Sequence, residues 1–303
     1  MRIGLSGGAA SAARMVEQVK KAEAAGYSSL WYPSAIGIDP LAVMAMAGAA
    51  TERIELGTSI LPTYMCHPTL MANRALATSL AMDRPGFTLG VGPSHQPIVE
   101  GMLGLSYDHP GRHTEEYLQV LAPLLRGEAV RFEGEEYRVN SPGRGEPAHR
   151  VPLLLAALGP RLLRIAGELA DGTILWMGNA RAIETHVSPR IRRAAEAAGR
   201  PEPRIVAGLP IAVHDDVDEA RATAGRMFAN YGELPNYQRL LAHGGIPGPA
   251  DAAIVGDEAS VTAQIQALFD AGATDFWAAI FPVGDDSSAS RARTKALLDS
   301  LVG

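Results

Sequence analysis

One cysteine, Cys66, is all that the 303 residues contain. That excludes an internal disulfide framework and makes the reducing cytoplasm the expected setting. No uninterrupted apolar run approaches the roughly 20 residues of a membrane span. Met1-Arg-Ile-Gly-Leu-Ser6 lacks the apolar stretch of a secretory signal, so a protein with no membrane partner is expected. Cations are in the minority, 27 Lys and Arg against 33 Asp and Glu for a net charge of −6. A general nucleic-acid surface is therefore not expected, although a local basic pocket stays open. The chain also has no G-x-G-x-x-G turn after its first strand, which weakens a Rossmann reading.

What is present is a globular balance, 47% hydrophobic and 20% charged. A chain of this length holds either two ordinary domains or one large α/β barrel. Strands are expected over residues 2–6, 28–32, 54–60, 87–92 and 151–157, in the run after Asp171-Gly172, and over 204–213 and 274–281. Helical spacing fills the intervals. Asp39-Pro40 supplies an N-cap followed by a first-turn proline, Thr114 is the expected N-cap of a helix beginning at Arg112, and Pro189 should kink or break another. This alternation predicts a (β/α)8 TIM barrel, a single domain over residues 1–303 with insertions after strands 4 and 7, at about 128–150 and 234–256. The first holds a hairpin and a polar loop. The second is too rich in proline and glycine for a barrel helix and is expected to cap a site. A doubly wound sheet is the competing fold.

The chain is organised around the stretch from Ala156 to Asn179. Val151-Pro-Leu-Leu-Leu-Ala-Ala157 is apolar without alternation, as a parallel strand covered on both faces requires. Gly159 permits a sharp turn, and Pro160 takes the first helical position. The unpaired N–H groups of that first turn, with Arg161 beside them, form a phosphate cradle; the competing reading is an ordinary βαβ turn with a surface arginine. In a barrel, chemistry sits at the strands' C-terminal ends. Those ends gather Ser6-Gly7, Pro33-Ser34, Ser59-Ile60, Gly92-Pro93-Ser94-His95, Leu158-Gly159 and Gly178-Asn179. The set contains no Ser/His/Asp arrangement, no paired carboxylates and no Schiff-base lysine. His109 and His113 have the spacing of a metal pair, but Pro110-Gly111 between them argues against one helix carrying both, and no third ligand is evident. A site so poor in reactive groups leaves its chemistry to a cofactor, and small residues beside a helix-terminus cradle suit a flat, phosphorylated ring.

Thr58-Ser-Ile60, Leu89-Gly-Val-Gly-Pro-Ser-His95, Ala156-Ala-Leu-Gly-Pro160, Ala170-Asp-Gly-Thr-Ile-Leu and Ile254-Val-Gly-Asp257, in that order, resemble the luciferase-like oxidoreductases. The branch they most resemble uses the 5-deazaflavin coenzyme F420. The resemblance implies a cofactor in the barrel mouth, with Ala156, Ala157, Leu158, Gly159 and Pro160 at its phosphate. It implies a second phosphate contact at Gly178 and Asn179, where some relatives have a lysine whose missing charge Arg161 is expected to compensate. It also implies a cis Ser59–Ile60 peptide against the ring's reverse face, with Gly92, Pro93 and Ser94 nearby. The implied reaction is hydride transfer between the deazaflavin C-5 carbon and a small organic substrate, an activated C=C or C=O, with His95 as first candidate proton donor and Ser34 as second. A homodimer is implied as well. Two features depart from the family: Pro33-Ser34 replaces an Asp-His pair of some relatives, and His95 lies near an acid of those that oxidise sugar phosphates. The alternatives are an FMN-dependent monooxygenase on the same barrel, a non-catalytic deazaflavin-binding barrel and a metal-free aldolase or isomerase.

Overall fold

The computed structural model describes residues 1–8, 11–33 and 39–302. Its strands are β1 (Ile3–Ser6), β2 (Ser29–Tyr32), β3 (Glu55–Thr58), β4 (Phe87–Gly92), β5 (Leu153–Leu155), β6 (Gly172–Trp176), β7 (Arg204–Val213) and β8 (Asp275–Ile280). Each pairs in parallel with its neighbours in sequence, and β8 returns to β1, so the sheet closes as the expected TIM barrel. Two short strands lie off the ring: Leu61–Pro62 on β4, and Ile254–Gly256 on the far end of β7. The main helices are α1 (Ala12–Ala24), α2 (Pro40–Ala49), α3 (Pro68–Met82), α4 (Pro110–Leu125), α5 (Pro160–Leu169), α6 (Ser188–Ala197), α7 (Val217–Met227), α8 (Pro235–His243), α9 (Glu258–Asp270) and α10 (Ser287–Val302). Among the described residues no helix is long and apolar enough to cross a membrane.

Parity along the strands decides what fills the ring. Trp31 on β2, Leu154 on β5, Ile174 on β6, Val206 on β7 and Trp277 on β8 form one buried cluster. The indoles fit because facing positions have no side chain. A Cβ on Gly57 would stand 2.2 Å from Trp31 Cζ3, and one on Gly208 would stand 1.9 Å from Trp277 Cε2. Below this cluster, at the strands' N-terminal ends, Arg204 binds Glu55 at 2.8 Å and Asp275 at 2.7 Å, and Arg2 reaches Asp275 at 2.7 Å. Burial pushes the Asp275 carboxyl up, but Arg204, Thr274 and Arg2 outweigh it and hold it below the usual range.

The sequence expectations for α4 and for residues 234–256 need correction. Helix α4 begins at Pro110, not Arg112, because proline at the first helical position gives up nothing. His109 is therefore its N-cap residue and His113 lies on the same helix, while the Thr114 hydroxyl donates to the Pro110 carbonyl at 2.7 Å instead of capping. Even so, no group of three metal-ligating side chains exists among the described residues. The segment from 234 to 256 is more regular than its composition suggests. Pro235 starts α8, and Tyr237, Leu240 and Leu241 give that helix a buried stripe. The expected break near Pro189 takes the form of a π turn, Ile183–Val187, directly ahead of α6. A hairpin of Val130–Glu133 and Arg138–Ser141 follows α4, as expected.

Arg204→Met leaves Asp275 and Glu55 short of their main counter-charge and should cost about 3 kcal/mol of stability, measured by urea unfolding at pH 7. The Asp275 carboxyl is depressed, so its contribution is complete above the unfolded carboxylate value of about 3.9 and is lost as pH falls through the lower folded one. The wild-type and variant stability curves should therefore converge in acid.

Candidate active site

At the C-terminal end of the ring the strands run out into short turns, and small or uncharged side chains form a bed. Ser6, Ser59, Ile60, Ala156, Trp176 and Ala279 are all half-buried there. The Ser59–Ile60 peptide is cis, as the family resemblance implied. A Cβ on Gly92 would come 2.9 Å from Ala156 Cβ and 3.2 Å from Ile60 Cδ1, so β4, Ile60 and the end of β5 press together. The hydroxyl of Ser59 and the indole nitrogens of Trp176 and Trp277 are buried with no hydrogen-bond partner. Unpaired buried donors are uncommon in folded proteins; those of Ser59 and Trp176 belong to half-buried side chains of the bed, whereas Trp277 Nε1 packs against Gly208 inside the ring.

The turn after β5 supplies a second kind of vacancy. Gly159 is the N-cap of α5 and no side chain caps that helix, while Pro160 holds its first position. A Cβ on Gly159 would meet nothing within 4 Å, so the space before the helix is open. Bare amides at the positive end of a ten-residue helix favour an anion. Arg161 follows the turn, but its guanidinium lies 3.2 Å from Glu115 of α4. Glu115 is pushed up by burial yet held below its usual range by Arg164 and Arg161. Across the mouth, Asn179 Oδ1 accepts from the Ala182 amide at 2.9 Å and its Nδ2 donates to the Gly244 carbonyl at 3.1 Å. Gly178 is packed so closely that a Cβ would stand 2.3 Å from Leu175 Cδ1. Ala157 is fully buried behind the turn.

Past β4, Pro93 is buried and Ser94 takes a left-handed φ of 61°. Tyr107 donates to the Ser94 carbonyl at 2.9 Å, which fixes this turn and presents His95 beside the mouth. Burial lowers the pKa of His95 below its ordinary value, so the imidazole is neutral at pH 7. The structure thus brings His95 to the same end of the ring as the α5 turn and the Ser59–Ile60 peptide. Ser34 lies outside the described residues.

Sequence reasoning missed a line of aromatic rings. Trp277 stacks on Trp176 at 5.1 Å, Trp176 meets Tyr231 at 6.0 Å, Tyr231 meets Tyr237 at 5.0 Å, and Tyr237 lies 5.6 Å from His95. The line runs from β8 through β6, the helical turn Ala229–Gly232 and α8 to the end of β4. Its signal was strand parity: Trp176 follows the inward Ile174 by two residues, and Trp277 follows the inward Asp275 by two.

The family model for luciferase-like monooxygenases matches residues 1–290. The chain belongs to that family. An F420-dependent glucose-6-phosphate dehydrogenase of Nakamurella multipartita is 35% identical over 187 residues, 60% of this chain and 55% of that protein. This luciferase-like chain therefore matches just over half the length of that relative. A 5,10-methylenetetrahydromethanopterin reductase of Methanolobus tindarius is 26% identical over 291 residues, 94% of this chain and 87% of that protein. Among solved structures, an F420-dependent secondary alcohol dehydrogenase in complex with an F420–acetone adduct superposes with a TM-score of 0.79 at 18% identity, covering 98% of this chain and 97% of that one. At that identity the likeness shows the shared barrel fold alone.

Proposed function

We propose that this luciferase-like barrel is a coenzyme F420-dependent oxidoreductase acting on a small organic substrate with an activated C=C or C=O bond. The observation that carries the reading is the uncapped, open N-terminus of α5 beside a bed of uncharged side chains with unpaired donors. That combination fits a flat ring bearing carbonyl acceptors and a phosphate. F420 is preferred to FMN because relatives at 35% and 33% identity are named for it.

The bound deazaflavin would supply or accept a hydride at its C-5 carbon. The protein's own residues do the rest. Gly159, Arg161 and Leu162 offer backbone amides to the phosphate, and Asn179 stands opposite. Ser59, Ile60, Gly92 and Ala156 form the bed for the ring. Half-buried Trp176, Tyr231 and His95, with buried Tyr237 packed behind them, wall the mouth with aromatic surface, which suits a planar, uncharged substrate better than a polyanion. His95 would supply the proton that accompanies reduction of the substrate. A neutral imidazole gives up its last proton with great difficulty, so only the cationic form serves. Side-by-side titration with F420 and FMN, read by the fluorescence of the three tryptophans, should show tight F420 and weak FMN binding. Preference for FMN would move the assignment to a monooxygenase, and binding of neither would remove the redox reading. Because burial depresses the His95 pKa, reductive turnover should rise as pH falls below about 6.5. His95→Gln should flatten that rise and lower kcat by about a hundredfold. Unchanged turnover in the loaded variant would take His95 out of the reaction.

The same reading includes a homodimer. Met46 on α2 and Leu70 and Leu80 on the adjoining α3 are exposed by 56%, 52% and 68%, which is costly for large apolar side chains in water. Sedimentation velocity should find a dimer, and Leu80→Glu should shift it to monomer; a monomeric wild type would remove the proposal.

A further inference from the structure

One buried histidine ties together the pieces of chain around the α5 turn. The π turn Ile183–Val187 carries His186 inward until it is only 1% exposed. Its Nε2 lies 2.8 Å from the Leu158 carbonyl oxygen. A carbonyl only accepts, so Nε2 bears the hydrogen and donates it, leaving a lone pair on Nδ1. That Nδ1 is buried with no partner. Burial lowers the pKa of the imidazole; the Leu158 carbonyl works against that, and His243 and Arg190 add to it. The ring stacks on His243 with centroids 3.8 Å apart and planes 14° from parallel. His243 is the last residue of α8, and the next residue, Gly244, accepts the hydrogen bond from Asn179.

The Leu158 carbonyl and the Gly159 N–H belong to one planar peptide and point in opposite directions. Holding that carbonyl at His186 therefore aims the Gly159 N–H away from His186. This N–H has no partner among the described residues, and the space beside Gly159 is open. We infer that His186 is a positioning residue: through the Leu158 carbonyl it orients the anion-binding amide of Gly159, and through His243 it couples that turn to α8. The inference rests on the proposed assignment of this turn to the cofactor phosphate.

The test compares dissociation constants for F420 and for its phosphate-free deazaflavin chromophore, by ligand and tryptophan fluorescence. Wild-type protein should bind F420 more tightly than the phosphate-free compound. His186→Phe keeps the stack but loses the donor, and should weaken F420 binding about tenfold, the worth of one well-placed hydrogen bond, without changing the affinity for the phosphate-free ligand. His186→Gln, which can still donate, should recover most of the loss. His243→Ala is exposed and removes only the stack; it should give a smaller, equally selective loss. Equal weakening of both ligands, or undiminished F420 affinity in His186→Phe and His243→Ala, would overturn the positioning role. Equal wild-type affinity for the two ligands would instead overturn the phosphate assignment of the turn.

Discussion

The filling of the barrel by two indoles is the constraint from which the mouth takes its shape. Trp31 and Trp277 occupy the ring because Gly57 and Gly208 leave them room. A buried indole removes about 200 Å² from water, roughly 5 kcal/mol at 25 cal/mol per Å² as an upper figure. A glycine inside a strand costs about 1 kcal/mol. The exchange of side chain for space therefore favours the glycines. It also sets the floor level: Trp277 comes to rest against Trp176, and Trp176 becomes the half-buried surface on which anything in the mouth would rest. The ion network of Arg2, Arg204, Glu55 and Asp275 closes the other end and keeps the filling from that side.

Most of the scaffold was legible because it is written in local chemistry. Asp39-Pro40 and Gly159-Pro160 mark helix starts through the proline's indifference to its missing N–H, and both helices begin there. The buried strands are short apolar runs between turns. The same rule was missed at Pro110, where two histidines drew attention to metal spacing and away from the N-cap. Helix α8 was hidden by composition, since the prolines and glycines around it are loop residues while Tyr237, Leu240 and Leu241 alone carry the helical period.

The candidate site was legible only where one segment builds it. The α5 turn, the Ser59–Ile60 bed and the Gly92–His95 run each lie on contiguous residues and could be named from the chain. The aromatic line could not, because His95, Tyr237, Tyr231, Trp176 and Trp277 come from four separate parts of the sequence and meet only once the ring closes. His186 was invisible for a different reason. Its inward direction depends on the extra residue of a π turn, which shifts the phase of every side chain after it.

The placement of charge around the α5 turn narrows how an anion could be held. Arg161, the cation nearest in sequence, is committed to Glu115, and a half-exposed pair of that kind is held by modest energy, roughly 1 kcal/mol or less. Asn179 has its oxygen on the Ala182 amide and one N–H on Gly244. What faces the open space is thus a set of neutral donors and about half a charge of helix dipole. Neutral donors act over hydrogen-bond distance, whereas a point charge tolerates misplacement, so a cradle of this kind depends on the direction of each peptide. A buried, neutral histidine on the Leu158 carbonyl meets that need: it aligns a peptide plane without adding a charge. The polar bond from His186 and the bare amide of Gly159 are two ends of one rigid unit.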